Sequence, residues 1–436
     1  MISRRNFLGT AGAATLSGGL VSQSVEQGIA KSIAQGSQTS SSESRPLRLA
    51  IVTTVWRYLS HAQHMGDRFL VGYPHEGAWH DPNVEVVSLY VDQRGEGDQS
   101  EARAEEFDFK IYPTIAEALR QGGDDLAVDA VLIIGEHGDY PRNPKGQILY
   151  PRYKFFQEVT KVFRKDGKSV PVFNDKHLSF SYAHAQDMVR QSEELGFPFM
   201  AGSSLPVTFR LPSLDLPYES EISDALMVGV GSSDPMDFHA LEALHCLIDR
   251  RRGGETGVEA VQLVDGEAVW KAGDEGEWSW ELLEAALSRS NELQGLSRTE
   301  AKPQDLIRNG QLKKLVKEPA AYHVWFKDGL KTTLLMLNGA VGDFTCAVRL
   351  RDSKEVVSTL FYLPPTPNVT YSAELMNRVE RMFQTGVAVT PVKRTLLVSG
   401  VLESCLESRL QGGKKMRTPH LGVEYQVSEQ SPFSTT

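Results

Sequence analysis

Short apolar runs alternate with helix-compatible stretches along the first half of the chain. The runs cover residues 47–52, 84–91, 128–134, 170–173 and 197–202. Apolar residues at helical spacing lie between them, and Thr114 precedes one short helix as its expected N-cap. Apolar runs of this length are typical of strands buried on both faces of a parallel sheet, and their alternation with helices builds βαβ units. The sequence therefore predicts a doubly wound parallel α/β sheet over residues 47–204.

The pattern changes near residue 205. A helical stretch at 238–250 leads into a β-rich run at 258–264, and from residue 321 polar and apolar residues alternate as in antiparallel strands. The last amphipathic helix is expected over about 391–410. We therefore predict that residues 205–436 form an α+β domain with a large, mostly antiparallel open sheet. An open sheet face permits pairing with a second subunit, so a homo-oligomer through this sheet is one expectation.

The N-terminal segment has the pattern of an export signal. Residues 3–8 read Ser-Arg-Arg-Asn-Phe-Leu, and a modest Gly/Ala-rich apolar stretch follows them. That stretch is too short and weakly apolar for a membrane span, which needs about 20 residues. Small residues before and at Ala34 indicate cleavage there. We predict a twin-arginine signal peptide over 1–34, a flexible linker over 35–46, and a periplasmic mature protein.

Charge and cysteine content exclude several classes of partner. The net charge is −10, and no basic tract is present. An acidic chain of this kind is not expected to bind nucleic acid or anionic membrane surfaces. The cysteines number three and lie far apart, which provides neither a disulfide framework nor zinc-ligand spacing.

Four segments in order carry a resemblance to a known family. They are residues 112–119 with the strand 128–133, the segment 172–179 (Val-Phe-Asn-Asp-Lys-His-Leu-Ser), the helix 237–244 (Asp-Phe-His-Ala-Leu-Glu-Ala-Leu), and the tail elements 380–385, 391–410 and 421–423. Over about residues 47–425 the chain resembles the Gfo/Idh/MocA oxidoreductases, named for glucose–fructose oxidoreductase and inositol dehydrogenase. The resemblance implies a Rossmann-like first domain that binds NAD or NADP, and a sugar or cyclitol substrate oxidised at a hydroxyl group.

The turn after the first strand departs from that family. Rossmann-like sheets place glycines there so that the backbone approaches the cofactor pyrophosphate, but residues 53–58 read Thr-Thr-Val-Trp-Arg-Tyr. By position, Thr53, Thr54 and Arg57 line the phosphate site, where Arg57 supplies charge and backbone N–H groups at the next helix start can bind an anion. Asp92 ends the second strand and is expected on the adenosine ribose, which favours NAD over NADP.

Two residues are the expected catalytic pair. Lys176 stands in the family's Glu-Lys-Pro position, here Asp-Lys-His, and His239 matches the family's helix histidine. The resemblance implies that Lys176 contacts the reacting hydroxyl and that His239 acts as its acid or base. Because Glu242 lies one turn along the same helix, its carboxylate is expected to orient the imidazole and contact substrate.

Further polar residues follow the third and fourth strands. Glu136 and His137 are expected at the nicotinamide end of the cofactor, and Asp175 and His177 near the substrate. A divalent metal held by these acids and histidines is an alternative without tight ligand spacing to support it. His61 and His64, one turn apart in the first helix, are interpreted as surface or packing residues.

Three function classes stay open at this point. The first is a nicotinamide-dependent oxidoreductase whose dinucleotide is loaded during cytoplasmic folding, since the periplasm has no pool of it. The second is a carbohydrate lyase or hydrolase without dinucleotide, favoured by the missing glycines. The third is a non-catalytic carbohydrate-binding protein on the same fold.

Overall fold

The computed structural model describes residues 45–231, 234–351, 355–366 and 369–435. The predicted signal peptide and most of the linker lie outside the described residues. The first half contains, in chain order, β1 (Leu47–Thr53), a π-helical turn (Ala62–Gly66), α1 (Asp67–Val71), β2 (Tyr73–His75), β3 (Ala78–His80), β4 (Val84–Val91), α2 (Ser100–Glu106), β5 (Lys110–Ile111), α3 (Ile115–Arg120), β6 (Ala130–Ile134), α4 (Arg152–Asp166), β7 (Val172–Asp175), α5 (Tyr182–Leu195) and β8 (Phe199–Gly202).

Six of these strands form one sheet in the order β5-β4-β1-β6-β7-β8, and every neighbouring pair is parallel. The strand order reverses between β1 and β6, which is where doubly wound sheets bind their ligands. All five residues of β6 are buried, because helices cover both faces of the sheet. The predicted Rossmann-like architecture is confirmed. Thr114 caps α3 as expected, since its hydroxyl accepts a hydrogen bond from the Glu117 N–H at 3.1 Å.

The second half builds a larger sheet. Its elements are a 3₁₀ turn (Leu205–Val207), β9 (Arg210–Leu211), β10 (Ile222–Gly229), α6 (Asp234–Ile248), β11 (Val258–Asp265), α7 (Glu267–Asp274), α8 (Trp280–Leu287), α9 (Leu296–Thr299), α10 (Leu312–Leu315), β12 (Ala320–Phe326), β13 (Lys331–Met336), β14 (Phe344–Leu350), β15 (Val356–Phe361), α11 (Thr370–Thr385), α12 (Val392–Leu410), β16 (Met416–Arg417) and a 3₁₀ turn (Pro419–Leu421). Eight strands pair in the order β16-β11-β12-β13-β10-β14-β15-β9. Only β10 and β13 run parallel in this described sheet, so the mostly antiparallel sheet is also confirmed.

Helix α11 returns from the second half to the first sheet. Its residues Met376 and Val379 belong to the same buried cluster as Leu49 of β1 and Leu132 of β6. The periodicity of the sequence did not reveal this helix. Because it covers one face of the parallel sheet, the first domain is completed by residues from the C-terminal part of the chain.

Two further observations concern the whole described chain. None of its helices combines the length and apolar character required to cross a bilayer. Cys246, Cys346 and Cys405 are all buried free thiols, as the wide spacing of the cysteines predicts.

Candidate active site

A cleft of about 370 Å³ opens at the carboxyl edge of the parallel sheet, beside the start of α6. The titratable residues that line it are His61, His64, Glu136, His137, Tyr150, Asp175, Lys176, His239 and Tyr371. The structure thus brings together five of the residues expected at the site from sequence, from the ends of β6 and β7 and from α6. Nowhere in the described ranges do three or more His, Cys, Asp or Glu side chains form a group able to hold a metal ion.

Lys176 and His239 contact each other directly. A hydrogen bond joins the Lys176 Nζ to the His239 Nε2, and Lys176 is only 2% exposed. Burial lowers the pKa of Lys176. Burial and the neighbouring Lys176 charge hold the pKa of His239 well below its ordinary value. Because a lowered pKa leaves more of each group in its neutral form, the pair can accept a proton from a substrate hydroxyl.

The backbone is strained where the strands end. Lys176 has φ 67° and His137 has φ 69°, values that side-chain-bearing residues seldom adopt. The Lys176 N–H donates to the Gly202 carbonyl at 2.9 Å, which fixes the turn against β8. Gly202 has φ 128°, and a Cβ there would overlap the Glu242 Oε1, so a larger residue at this position would be strained. Strain of this kind costs about 1–3 kcal/mol per residue and clusters at functional sites.

His61 reaches across the cleft to Asp175. A hydrogen bond of 2.6 Å joins the His61 Nδ1 to the Asp175 Oδ2. His61 begins the helix after β1, whereas Asp175 ends β7, so the bond passes over the end of the intervening β6. The interpretation of His61 and His64 as surface or packing residues is wrong, because both line the cleft. Their position after the first strand, at the carboxyl edge, was the signal in the sequence that pointed to the cleft.

Glu136 is held by a buried arginine. The Arg152 Nη2 donates to the Glu136 Oε2 at 2.5 Å, and the Arg152 Nη1 lies 3.0 Å from the His177 Nε2. His177 is fully buried behind the cleft, with the Asp234 Oδ2 at 3.6 Å. The expectation that His177 contacts substrate is therefore corrected: its ring supports Arg152, which positions Glu136.

Glu242 also has a supporting role. Its Oε2 accepts hydrogen bonds from the N–H and the hydroxyl of Ser203, both at 2.7 Å. Burial raises the pKa of Glu242 to about 7. Among the described residues the His239 Nδ1 has no partner, so the expectation that Glu242 orients the imidazole and contacts substrate is wrong. The carboxylate instead fixes the segment after β8.

The threonines of the glycine-free turn face the sheet. The Thr53 hydroxyl donates to the Ile134 carbonyl at 3.1 Å, and the Thr54 hydroxyl donates to the Glu136 carbonyl at 2.6 Å. Both residues are 0% exposed, and so is Trp56. The expectation that Thr53 and Thr54 contact a cofactor is therefore corrected, since their side chains join β1 to the end of β6.

Two side chains hold the turn that leads into the following helix. The Ser60 hydroxyl accepts hydrogen bonds from the N–H groups of Arg57, at 3.0 Å, and Gln63, at 3.3 Å. The Gln63 Oε1 accepts from the Leu59 N–H at 2.6 Å. Of these N–H groups, that of Gln63 lies in the first turn of the helix, where a phosphate would bind, whereas Arg57 and Leu59 precede the helix. The Ser60 hydroxyl therefore competes with an anion for one N–H group of that turn.

Asp92 has both carboxylate oxygens engaged. The Tyr90 hydroxyl donates to one oxygen at 2.8 Å, and the Tyr140 hydroxyl donates to the other at 2.7 Å. Carboxylates can accept further bonds, but this one is fixed by two aromatic partners. The inference that Asp92 favours NAD over NADP thus loses its basis, because the carboxylate is held within the protein.

A second groove, of about 390 Å³, lies beside this turn. Its lining residues are Val55, Trp56, Arg57, Gln93, Arg94, Gly95, Glu96, Asp98 and Gly138. Arg57 is exposed, and within the described part of the chain its guanidinium has no ion-pair partner. An exposed guanidinium of this kind is suited to a phosphate group. Arg57 is therefore the side chain of this groove that could hold a phosphate, beside the carboxylates of Glu96 and Asp98.

No protein-family model and no curated protein matches this sequence. Solved structures match it in fold. GenD2 from gentamicin A biosynthesis, in complex with NAD, is 14% identical with a TM-score of 0.52, over 86% of this chain and 97% of that chain. Myo-inositol 2-dehydrogenase from Lactobacillus plantarum is 12% identical with a TM-score of 0.50, over 85% and 99%.

Myo-inositol dehydrogenase from Lactobacillus casei, in complex with NAD(H) and myo-inositol, is 12% identical to this chain with a TM-score of 0.51, over 85% and 96% of the two chains. At these identities the likeness shows the fold. The chain thus has the two-domain architecture of inositol dehydrogenases of the Gfo/Idh/MocA type.

Proposed function

We propose that this chain is an oxidoreductase that acts on a hydroxyl group of a sugar or cyclitol, with NAD or NADP as cofactor. The observation that carries the proposal is the contact between Lys176 and His239 at the carboxyl edge of the sheet. Structures of the same fold include one in complex with NAD and one in complex with NAD(H) and myo-inositol. These structures support the cofactor and the substrate class.

We assign proton transfer, substrate binding and phosphate binding to different residues of the cleft and the adjoining groove. The Lys176–His239 pair takes up the proton of the substrate hydroxyl as the carbinol becomes a carbonyl, and returns it in the reverse direction. Glu136, fixed by Arg152, accepts a hydrogen bond from a neighbouring hydroxyl. Arg57 holds a phosphate in the adjoining groove. A nicotinamide ring, when bound, supplies the hydride acceptor.

Binding measurements test the proposal. The purified full chain is denatured, and any released dinucleotide is quantified by its absorbance. The folded protein is then titrated with NAD and NADP while tryptophan fluorescence is followed, since Trp56 lines the groove. We expect saturable binding of at least one dinucleotide, and its reduction when cyclitols and sugars are added. Protein that releases no dinucleotide and binds neither form would reject the proposal.

A second candidate is a lyase or hydrolase that uses the cleft without a dinucleotide. It is favoured by the glycine-free turn after β1 and by the Ser60 hydroxyl, which occupies the Gln63 N–H group in the first turn of the following helix. Such an enzyme would modify a carbohydrate while binding neither NAD nor NADP. Product formation in dialysed protein without any dinucleotide distinguishes it from the first candidate.

We further propose that the protein is exported folded to the periplasm. The support is the twin-arginine pattern at Arg4 and Arg5. A cofactor of an exported oxidoreductase would have to be retained from the cytoplasm. Replacing both arginines with lysine should leave the full-length precursor in the cytoplasm on cell fractionation, whereas unchanged export of that variant would refute this proposal.

A further inference from the structure

The cleft contains a second pair of proton-transfer groups besides Lys176 and His239. His61 and Asp175 are joined at 2.6 Å, and the Asp175 side chain is fully buried. A carboxylate bound to Nδ1 fixes both the orientation and the tautomer of an imidazole, with the other nitrogen left to accept a proton. Neither residue is used in the hydroxyl chemistry proposed above.

The other nitrogen of His61 is available. The side chain of His61 is 18% exposed, and among the described residues its Nε2 has no hydrogen-bond partner. Burial and the charge of Lys176 hold the pKa of His61 well below its ordinary value. The imidazole is therefore neutral before the reaction, as a base must be.

The other two histidines near it have no such partner. His64 and His137 line the same cleft, and the His61 ring lies 5.1 Å from the His137 ring, measured between centroids. The Nε2 atoms of both His64 and His137 are buried without partners, and no carboxylate among the described residues is hydrogen-bonded to either ring. His61 is thus the one cleft histidine in the described chain with an orienting acid.

We propose that His61, oriented by Asp175, is a second catalytic base, which removes the proton from the carbon beside the carbonyl of a keto sugar or keto cyclitol. This rests on the proposed function for the substrate class, since oxidation of a carbinol in the cleft yields such a ketone. The reaction is then an enolisation that follows, or accompanies, the hydroxyl chemistry.

The step is balanced within the cleft. The C–H bond breaks, the proton forms an N–H bond on the His61 Nε2, and the electron pair forms the carbon–carbon double bond of an enol. The carbonyl oxygen accepts the proton that the Lys176–His239 pair holds after oxidation. Return of a proton from His61 to the same face of the carbon restores the ketone with its hydrogen exchanged and its configuration retained.

Deuterium exchange tests this role in the full-length protein. We would incubate 2-keto-myo-inositol and 3-keto-glucose with the protein in D₂O and follow the C–H signals beside the carbonyl by proton NMR. The wild type should accelerate exchange over buffer alone. His61→Gln should lower the enzymatic exchange rate about 10²-fold or more, with the KM for the ketone little changed, and Asp175→Asn should lower it about 10-fold or more.

His75→Gln is the matched control. His75 is 17% exposed at its side chain and lies 3.4 Å from the buried carboxylate of Glu374, outside the cleft. The His75→Gln variant should catalyse deuterium exchange of the ketone at the wild-type rate. Wild-type protein that does not accelerate exchange of either ketone, or a His61→Gln variant as fast as wild type, would overturn the inference. Exchange without dinucleotide binding would reject the proposed function alone, whereas hydride transfer without exchange would reject the inference alone.

Discussion

Two neighbouring parts of the carboxyl edge of the parallel sheet differ in how their polar groups are held. At the ends of β6 and β7, the backbone is strained at His137 and Lys176, and the ionisable side chains have shifted pKa values. At the end of β1, the hydroxyls of Thr53 and Thr54 are hydrogen-bonded to carbonyls at the end of β6, and Trp56 is fully buried. Strained residues with shifted pKa values therefore follow β6 and β7, whereas buried hydrogen bonds hold the turn after β1.

This difference predicts how substitutions in the two parts of the edge will act. Strain and desolvated charge cost stability, and they persist where surrounding structure holds them in place. Internal hydrogen bonds and a buried indole contribute stability, and the exposed guanidinium of Arg57 is left for a phosphate. Substitutions of buried residues in the two parts should therefore have opposite signatures: loss of activity after β6 and β7, and loss of stability after β1.

Lys176→Ala should have the largest effect. Removal of the Nζ that contacts His239 should lower kcat about 10²- to 10⁴-fold, as for other general acid–base groups. The free energy of unfolding should change little or increase, because a buried amine is lost. Lys161→Ala, on the exposed side of α4, is the control. Steady-state kinetics and urea unfolding measure both quantities, and a Lys176→Ala variant with full kcat would contradict the comparison.

Trp56→Ala should show the opposite signature. Trp56 is 0% exposed, and its ring stacks 6.4 Å from that of Phe109, between centroids. The cavity left should lower the free energy of unfolding by about 3–5 kcal/mol. Trp79→Ala, at an indole that is 56% exposed, should cost less than about 1 kcal/mol. Equal losses in the two variants by urea unfolding would show that the turn is not a stabilising element.

Glu242→Gln tests how Glu242, which holds the segment beside Lys176, affects the pH dependence of stability. Because burial raises the pKa of Glu242 from 4.5 to about 7, the unfolded chain ionises first as pH rises, and stability falls between those values. The loss amounts to about 3 kcal/mol at 1.36 kcal/mol per pKa unit. The variant should lack this part of the decline while its amide oxygen still accepts from Ser203.

Urea unfolding at pH 5 and pH 8 measures the decline in both proteins. Asp234, with its pKa raised to about 7, and Asp237, with its pKa raised to about 6, add to the slope in the same window. They are present in wild type and variant alike, so the difference between the two slopes reports Glu242. Parallel slopes would disprove an elevated pKa for Glu242.

Arg57→Ala should have the smallest effect. If the guanidinium replaces the missing glycine cradle, its loss should weaken dinucleotide binding about 10-fold, equal to about 1.4 kcal/mol. Stability should stay unchanged, because Arg57 is exposed. Arg190→Ala, at a side chain that is 57% exposed on α5, is the control in fluorescence titrations. Tighter or equal binding by Arg57→Ala would place the phosphates elsewhere.

Much of the fold and part of the site followed from the sequence. The alternation of apolar runs and helices determined the doubly wound sheet, because strand and helix periods are local properties of the chain. Parallel strands all end at one edge, so residues directly after them, such as Glu136, Asp175 and Lys176, were expected together. The positions of these residues along the chain, directly after the strands, were sufficient to predict this.

The tertiary structure decided which of these side chains face the cleft. His61 and Asp175 are 114 residues apart, and their contact depends on the angle of the first helix over the sheet. Buried polar groups form hydrogen bonds with the partners that packing places near them. The pairs formed in this way are Glu242 with Ser203, His177 with Arg152, and Asp92 with Tyr140. Such partners come from distant segments, and the period of a sequence carries no information about them. The elements and their edge were thus determined by the sequence, and the direction of each side chain by the packing between them.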